Sequence, residues 1–119
     1  MKPEMRQACV VMITASNQDE AQQLARMLIE KQLAACIQIL PTMQSFYVWQ
    51  GSVEYADENL LLVKTTLDLF AQIEAAVSAA HSYETPEIIA LPVVASSRPY
   101  LSWMLEQVSS IDEIIEKQS

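Results

Sequence analysis

The sequence predicts an α+β fold, an antiparallel sheet with helices on one face, built as a single domain. Three observations predict it. Apolar, β-branched runs alternate with stripes of helical period in the order strand, helix, two strands, helix, strand. The only glycine of the chain, Gly51, separates two extended runs as a hairpin turn would. A length of 119 residues, 51% of them hydrophobic, suffices for one core and no more.

Ala8 to Thr14 is a continuous β-prone run, the pattern of a strand buried on both faces. Ser16 and Asn17 then offer a helix cap, and Asn17 with Glu20 has capping-box spacing. Ala21, Leu24, Ala25 and Leu28 form one apolar stripe, opened by Asp19 and Glu20 and closed by Lys31 in accord with the helix dipole. Leu33 to Gln50 is extended and must bulge, bend or form an edge at Pro41. Gly51-Ser52 suits a type II′ turn, which would set Gln50 against Val53, Trp49 against Glu54 and Val48 against Tyr55. The return strand runs from Val53 to Thr66.

A second helix fits Asp68 to about Ala80, with Phe70, Ile73, Val77 and Ala80 on one face and Thr66 or Asp68 as cap. Residues 81–86 read as a loop, and Ile88 to Val94 as a strand broken at Pro92. Ser97-Arg98-Pro99 starts a third helix striped by Leu101, Met104, Leu105 and Val108. The tail from Ser109 either continues it or docks separately. The expected organisation is therefore an N-terminal extension (1–7), a domain (8–108) and a C-terminal tail (109–119). The order β-α-β-β-α-β plus a C-terminal helix is the ferredoxin-like, split β-α-β arrangement.

The hairpin is too long for such a domain. A compact chain of this size has a radius of gyration near ~13.5 Å and a diameter of roughly 35 Å. About sixteen strand residues at ~3.3 Å each span roughly 53 Å. The hairpin must curl at Pro41 or project, and a projecting pair carrying Phe46, Tyr47, Val48, Trp49 and Tyr55 calls for burial against another subunit. Oligomerisation follows from this mismatch.

A net charge of −8, with seven basic residues scattered along the chain, argues against nucleic acid and anionic membranes as partners. No apolar run reaches membrane-spanning length, and no signal-peptide pattern opens the chain. Cys9 and Cys36 are no disulfide framework and point to a reducing cytoplasm. One histidine and no nucleophile elbow leave covalent catalysis poorly served, and one glycine cannot build a phosphate cradle. Carboxylate pairs such as Glu84 and Glu87 are expected by chance among fifteen acids. No enzymatic reading is supported.

His81, Cys36, Cys9 and six methionines are ligand types that copper and zinc accept, but no close-spaced pair makes a structural zinc site. Equally, Cys36 can be core and His81 a cation at a helix C-terminus. Tyr47, Trp49, Lys64 and the loop from His81 to Glu87 are polar or amphipathic groups in apolar surroundings, the material of a binding cleft. For Lys64 a structural ion pair is the plainer alternative.

Five ordered motifs carry a family resemblance: Leu33-Ala-Ala-Cys-Ile-Gln-Ile-Leu-Pro41, Tyr47-Val-Trp-Gln-Gly51, Leu62-Val-Lys-Thr-Thr66, His81-Ser-Tyr-Glu-Thr-Pro-Glu87 with Ile88-Ile-Ala-Leu-Pro92, and Tyr100-Leu-Ser-Trp103. Over residues 8–108 the chain resembles the CutA family of divalent-cation tolerance proteins. The resemblance implies a cytoplasmic homotrimer sharing its long hairpins, no obligatory cofactor, no enzymatic reaction, and a role in tolerance of copper or another divalent cation. It implies His81 and Cys36 as metal contacts, and Tyr47, Trp49, Lys64, Tyr83, Glu87 and Trp103 around an inter-subunit cleft. It also implies an alternative, a PII-like signalling or small-molecule-binding module using that cleft. Ser82 departs from the proline usual after the histidine, Pro41-Thr42 replaces Pro-Gly, and Ile13 stands where some bacterial members carry a cysteine.

Overall fold

The computed structural model describes residues 6–118. Residues 1–5 of the expected extension and the last residue of the tail lie outside the described residues. The elements are β1 (Ala8–Ala15), α1 (Gln18–Glu30), β2 (Cys36–Ile39), β3 (Met43–Trp49), β4 (Ser52–Thr66), α2 (Phe70–Ala80), β5 (Ile88–Pro92), α3 (Arg98–Gln107) and α4 (Ile111–Gln118). The sheet order is β2-β4-β1-β5, with β3 also paired to β4 and the pairs antiparallel throughout. This is the predicted ferredoxin-like arrangement.

Alternation along the strands decides where the core sits. Odd-numbered residues of β1 and of the C-terminal half of β4 (Cys9, Val11 and Ile13; Leu61, Val63 and Thr65) are sealed from solvent. They meet the Ala21, Leu24 and Leu28 stripe of α1 and Ile73 and Val77 of α2. Each fully buried leucine here stabilises the fold by about 2 kcal/mol. Ile114 of α4 packs on the same core. The tail therefore docks separately, starting with a reciprocal cap: Ser110 Oγ accepts from the Glu113 N–H (3.1 Å) and the Glu113 carboxylate accepts from the Ser110 N–H (3.3 Å).

The predicted break at Pro41 is a bulge. Ile39 faces Leu61 and Met43 faces Glu58, so residues 40–42 oppose only residues 59 and 60. The buried Asn59 amide donates to the Leu40 carbonyl at 3.2 Å and the Leu40 N–H donates to the Leu60 carbonyl at 2.9 Å, satisfying the kinked backbone. The extra residue exchanges faces: even positions of β2 and odd positions of β3 lie on the same side as even positions of β4.

Three expectations need correction. The hairpin turns at Gln50-Gly51, not Gly51-Ser52, with both residues at positive φ (50° and 81°), a type I′ geometry. Trp49 therefore faces Ser52, Val48 faces Val53 and Tyr47 faces Glu54. The type I′ turn wins because its twist matches the strands and Gly51 takes the second left-handed position. The shift is two residues, so each side chain keeps its predicted face. The second helix begins with a 3₁₀ turn, Leu67–Leu69, before Phe70, and neither Thr66 nor Leu69 caps it through a side chain. The strand expected from Leu33 begins at Cys36, since Leu33 and Gln32 complete a helix-ending motif: Leu33 N–H reaches the Leu28 carbonyl and Gln32, at φ 60°, reaches Ile29.

The molecule measures 47 × 35 × 25 Å with a radius of gyration of 15.2 Å, above the ~13.5 Å of a compact chain. The hairpin projects. Val53 is 76% exposed and Val48 69%, with Phe46 and Tyr55 stacked beside them at 5.6 Å between ring centroids.

A Cβ on Gly51 would meet no atom, so Gly51→Ala tests backbone conformation alone and is expected to cost about 1 kcal/mol. Gln50→Asn, which suits the left-handed region, should stabilise by about 0.5 kcal/mol; urea unfolding of both variants checks the turn assignment.

Candidate functional site

The site is built on the loop between α2 and β5, residues 81–87, where it meets the start of α1 and the base of the hairpin. His81 ends α2, its N–H bonded to the Val77 carbonyl. Its side chain is 0% exposed. The Tyr83 N–H donates to Nδ1 at 3.0 Å, so Nε2 carries the proton and donates to the Thr14 carbonyl of β1 at 2.6 Å. The imidazole is thus a clip holding the loop to the sheet, and both ring nitrogens are engaged. Its ring bonds run to the backbone of β1 and of the loop, not to the last carbonyls of α2.

Glu20 organises the other side of the loop. Only half of the expected capping box forms: Asn17 Oδ1 accepts from the Glu20 N–H at 2.8 Å, while the Glu20 carboxylate turns elsewhere. One oxygen accepts from the Ser16 N–H and hydroxyl, both at 2.9 Å, and the other from the Ser82 N–H at 2.7 Å. Burial pushes the carboxyl up, but the hydrogen bonds from Ser16 and Ser82 outweigh it and hold the pKa near about 2. A proline at position 82 would have no N–H to give, so this bond depends on the serine there.

Tyr83 projects from the loop toward β4, where its hydroxyl donates to the Glu58 carboxylate at 2.9 Å. Burial and the Glu58 acceptor raise the phenol to about 12. Between loop and hairpin lies a cleft of about 480 Å³. Tyr47 and Trp49 of β3 form one wall, and Tyr83, Glu84, Thr85 and Glu87 the other, with Thr14 and Glu58 also lining it. Four sequence-predicted residues, Tyr47, Trp49, Tyr83 and Glu87, are therefore brought together, and Glu84 of the discounted carboxylate pair joins them. Glu58 and Glu20 were not singled out as site residues. For Glu58 the signal was parity, since even positions of β4 share the face of Tyr47 and Trp49.

Lys64 and Trp103 do not reach this cleft within the subunit. Lys64 Nζ donates to Gln38 Oε1 at 2.7 Å rather than pairing with an acid. It faces Cys36 across the ladder, and Tyr100 meets the Cys36 thiol, which with burial raises its phenol. Trp103 lies 5.7 Å from the Tyr100 ring. Cys36 itself is half-buried and free. Along β4, Lys64 lies four positions beyond Leu60, the partner of Thr14, roughly 13 Å of strand. His81 and Cys36 thus belong to opposite ends of the sheet in one subunit. Among the described residues, no group of three or more His, Cys, Asp or Glu side chains is placed to hold a metal ion. Cys9 is buried and its thiol is pushed up to about 11 by burial and by Asp68, away from reactivity.

A family model described as CutA1 divalent ion tolerance protein matches residues 9–107. The "Divalent-cation tolerance protein CutA" of Thermus thermophilus is 45% identical over 97 residues, covering 82% of this chain and 94% of that one. The "Protein CutA, chloroplastic" of Arabidopsis thaliana is 39% identical over 95 residues, 80% of this chain but 52% of that one, so the chain spans about half of that relative. Among solved structures, CutA1 from Oryza sativa matches with a TM-score of 0.87 at 35% identity, covering 89% of this chain and 97% of that one.

The Glu20 network predicts acid sensitivity of known sign. With a folded pKa near about 2 against 4.5 when unperturbed, Glu20 adds stability above pH 4.5 that is lost as pH falls toward 2. With its side chain 12% exposed, Glu20→Gln should lose about 2 kcal/mol at pH 7, and the difference from the parent should vanish near pH 2. Denaturant unfolding at several pH values measures both. Ser82→Pro should reproduce part of the loss.

Proposed function

The chain belongs to the CutA1 divalent ion tolerance family, and from that premise we propose that it is a homotrimeric, cytoplasmic protein of the response to divalent metal ions, copper among them. It acts by binding rather than by catalysis, through the cleft between the hairpin and the 81–87 loop. The observation that carries this reading is the cleft's composition: Glu58, Glu84 and Glu87 line it, and no basic residue does among those described. Such a lining attracts cations.

Assembly is supported by surface that one subunit leaves bare. Phe46, Val48, Val53 and Tyr55 are exposed on one hairpin face, and Ile89, Leu91, Tyr100 and Trp103 elsewhere on the surface. Association would also bring the Cys36, Lys64 and Trp103 end of one subunit within reach of another's cleft. A metal ligand set drawn from His81 and Cys36 requires that union, and His81 must first release Tyr83 or Thr14. Two free cysteines suit a reducing compartment. Among the described residues, no helix is long and apolar enough to cross a membrane.

A specific observation favours the PII-like alternative as well. The cleft has three aromatic side chains and the volume for a small organic molecule, whereas no complete metal set is assembled within one subunit.

Analytical ultracentrifugation is expected to show a trimer, and Val48→Lys with Val53→Glu should release folded subunits. A parent that sediments as a monomer would overturn the assembly. Calorimetry with Cu²⁺ should give saturable binding that His81→Ala or Glu87→Gln weakens; binding unchanged in both places the ion elsewhere. Thermal-shift comparison of metals against metabolites separates the two readings, since a ligand of the native state raises its melting temperature by mass action.

A further inference from the structure

The occupant of the cleft can be specified more closely from Glu58. Glu58 is 8% exposed as a whole residue, and its carboxylate faces the cleft. One of its oxygens accepts from the Tyr83 hydroxyl, a neutral partner, and the other has no donor among the described residues. A buried carboxylate is ordinarily paired with a cation, because desolvating an unmatched charge costs several kcal/mol. Nothing that lines the cleft supplies one, and Glu84 and Glu87 add charge of the same sign. The lining is thus acidic and carries no cation of its own among the described residues.

The walls decide which kind. Tyr47, Trp49 and Tyr83 present aromatic rings around the acids. Aromatic faces attract ammonium and guanidinium groups and also cover their alkyl stems. A bare divalent ion instead needs several oxygen, nitrogen or sulfur ligands converging on one point, and the described residues offer no such trio.

We propose that the cleft takes an organic cation, an alkylammonium or guanidinium group, with Glu58 as its counter-ion and the Tyr47, Trp49 and Tyr83 rings as its walls. The proposal rests on the second reading of the cleft, as a small-molecule or partner site rather than a metal site. The cation has two sources, a free small molecule or a lysine or arginine side chain of a second copy. Lys64 and Arg98 are the candidates on the sheet and on α3.

The test uses the intact assembled protein. Trp103→Phe leaves Trp49 as the sole tryptophan, so its fluorescence reports on the cleft. The probes are n-butylguanidinium and its neutral isostere n-butylurea. Saturable quenching by butylguanidinium is expected, about tenfold weaker for butylurea and about tenfold weaker in Glu58→Gln, which retains an acceptor for Tyr83. Far-ultraviolet circular dichroism confirms that each variant is folded. If butylguanidinium binds only after Lys64→Gln or Arg98→Gln, the cation belongs to the neighbouring copy. Equal binding of butylurea, indifference to Glu58→Gln, or no response in any variant would overturn the proposal. Cu²⁺ quenching of Trp49 that Glu58→Gln weakens, with no response to butylguanidinium, would overturn the organic cation and leave the cleft as the ligand site. Silence toward both would remove both.

Discussion

Much of this molecule follows from one strand that is longer than its domain is wide. β4 runs fifteen residues, Ser52–Thr66, which at ~3.3 Å each is about 50 Å. Its C-terminal half lies between β1 and β2 and is buried; its N-terminal half is paired only with β3 and projects. The same strand is thus core at one end and open surface at the other. Valine and tyrosine side chains on the projecting part cannot be covered by a chain of this size, and exposed apolar strands with free edges favour association.

The bulge at residues 40–42 reconciles the two halves. The two-residue turn sets Tyr47 and Trp49 on the Glu58 side of the hairpin, and the extra residue lets β2 join the same strand with its even positions, Cys36 among them, on that side. Two aromatic rings and a buried carboxylate therefore share a face, and the 81–87 loop can close over them. That loop needs holding because it contains no regular structure, and His81, Glu20 and Ser82 provide the holding. Their bonds are largely to backbone groups, so they specify where the chain runs rather than what it reacts with.

This changes how the histidine is understood. A lone histidine in an acidic chain invites a metal assignment, yet its side chain is sealed and bonded at both nitrogens. Its contribution to the cleft is indirect: it positions Tyr83, and Tyr83 engages Glu58. The residues of the two sheet ends, Cys36 with Lys64 and Tyr47 with Glu58, form separate groups in one subunit. A function that needs both groups needs more than one copy of the chain.

Local chemistry determined the elements and their faces. Periodicity marked the Leu24 and Leu28 stripe, the alternation of Tyr47 and Trp49 against Val48, and the break at Pro41, because these depend on residue type and spacing alone. The exact hairpin partners were less legible, since a single glycine suits either of two turn types and strand twist chooses between them. The end of the first helix at Gln32 was hidden for a similar reason, as a non-glycine residue occupies the left-handed position. Glu58 and Glu20 became site residues only through contacts with Tyr83 and Ser82, separated from them by 25 and 62 positions. Such contacts are set by how the sheet and loop close in space; parity along β4 marks the face of Glu58 but not its partner. The sequence by itself therefore determined the fold and the family motifs; the tertiary structure decided which of those motif residues share a cleft.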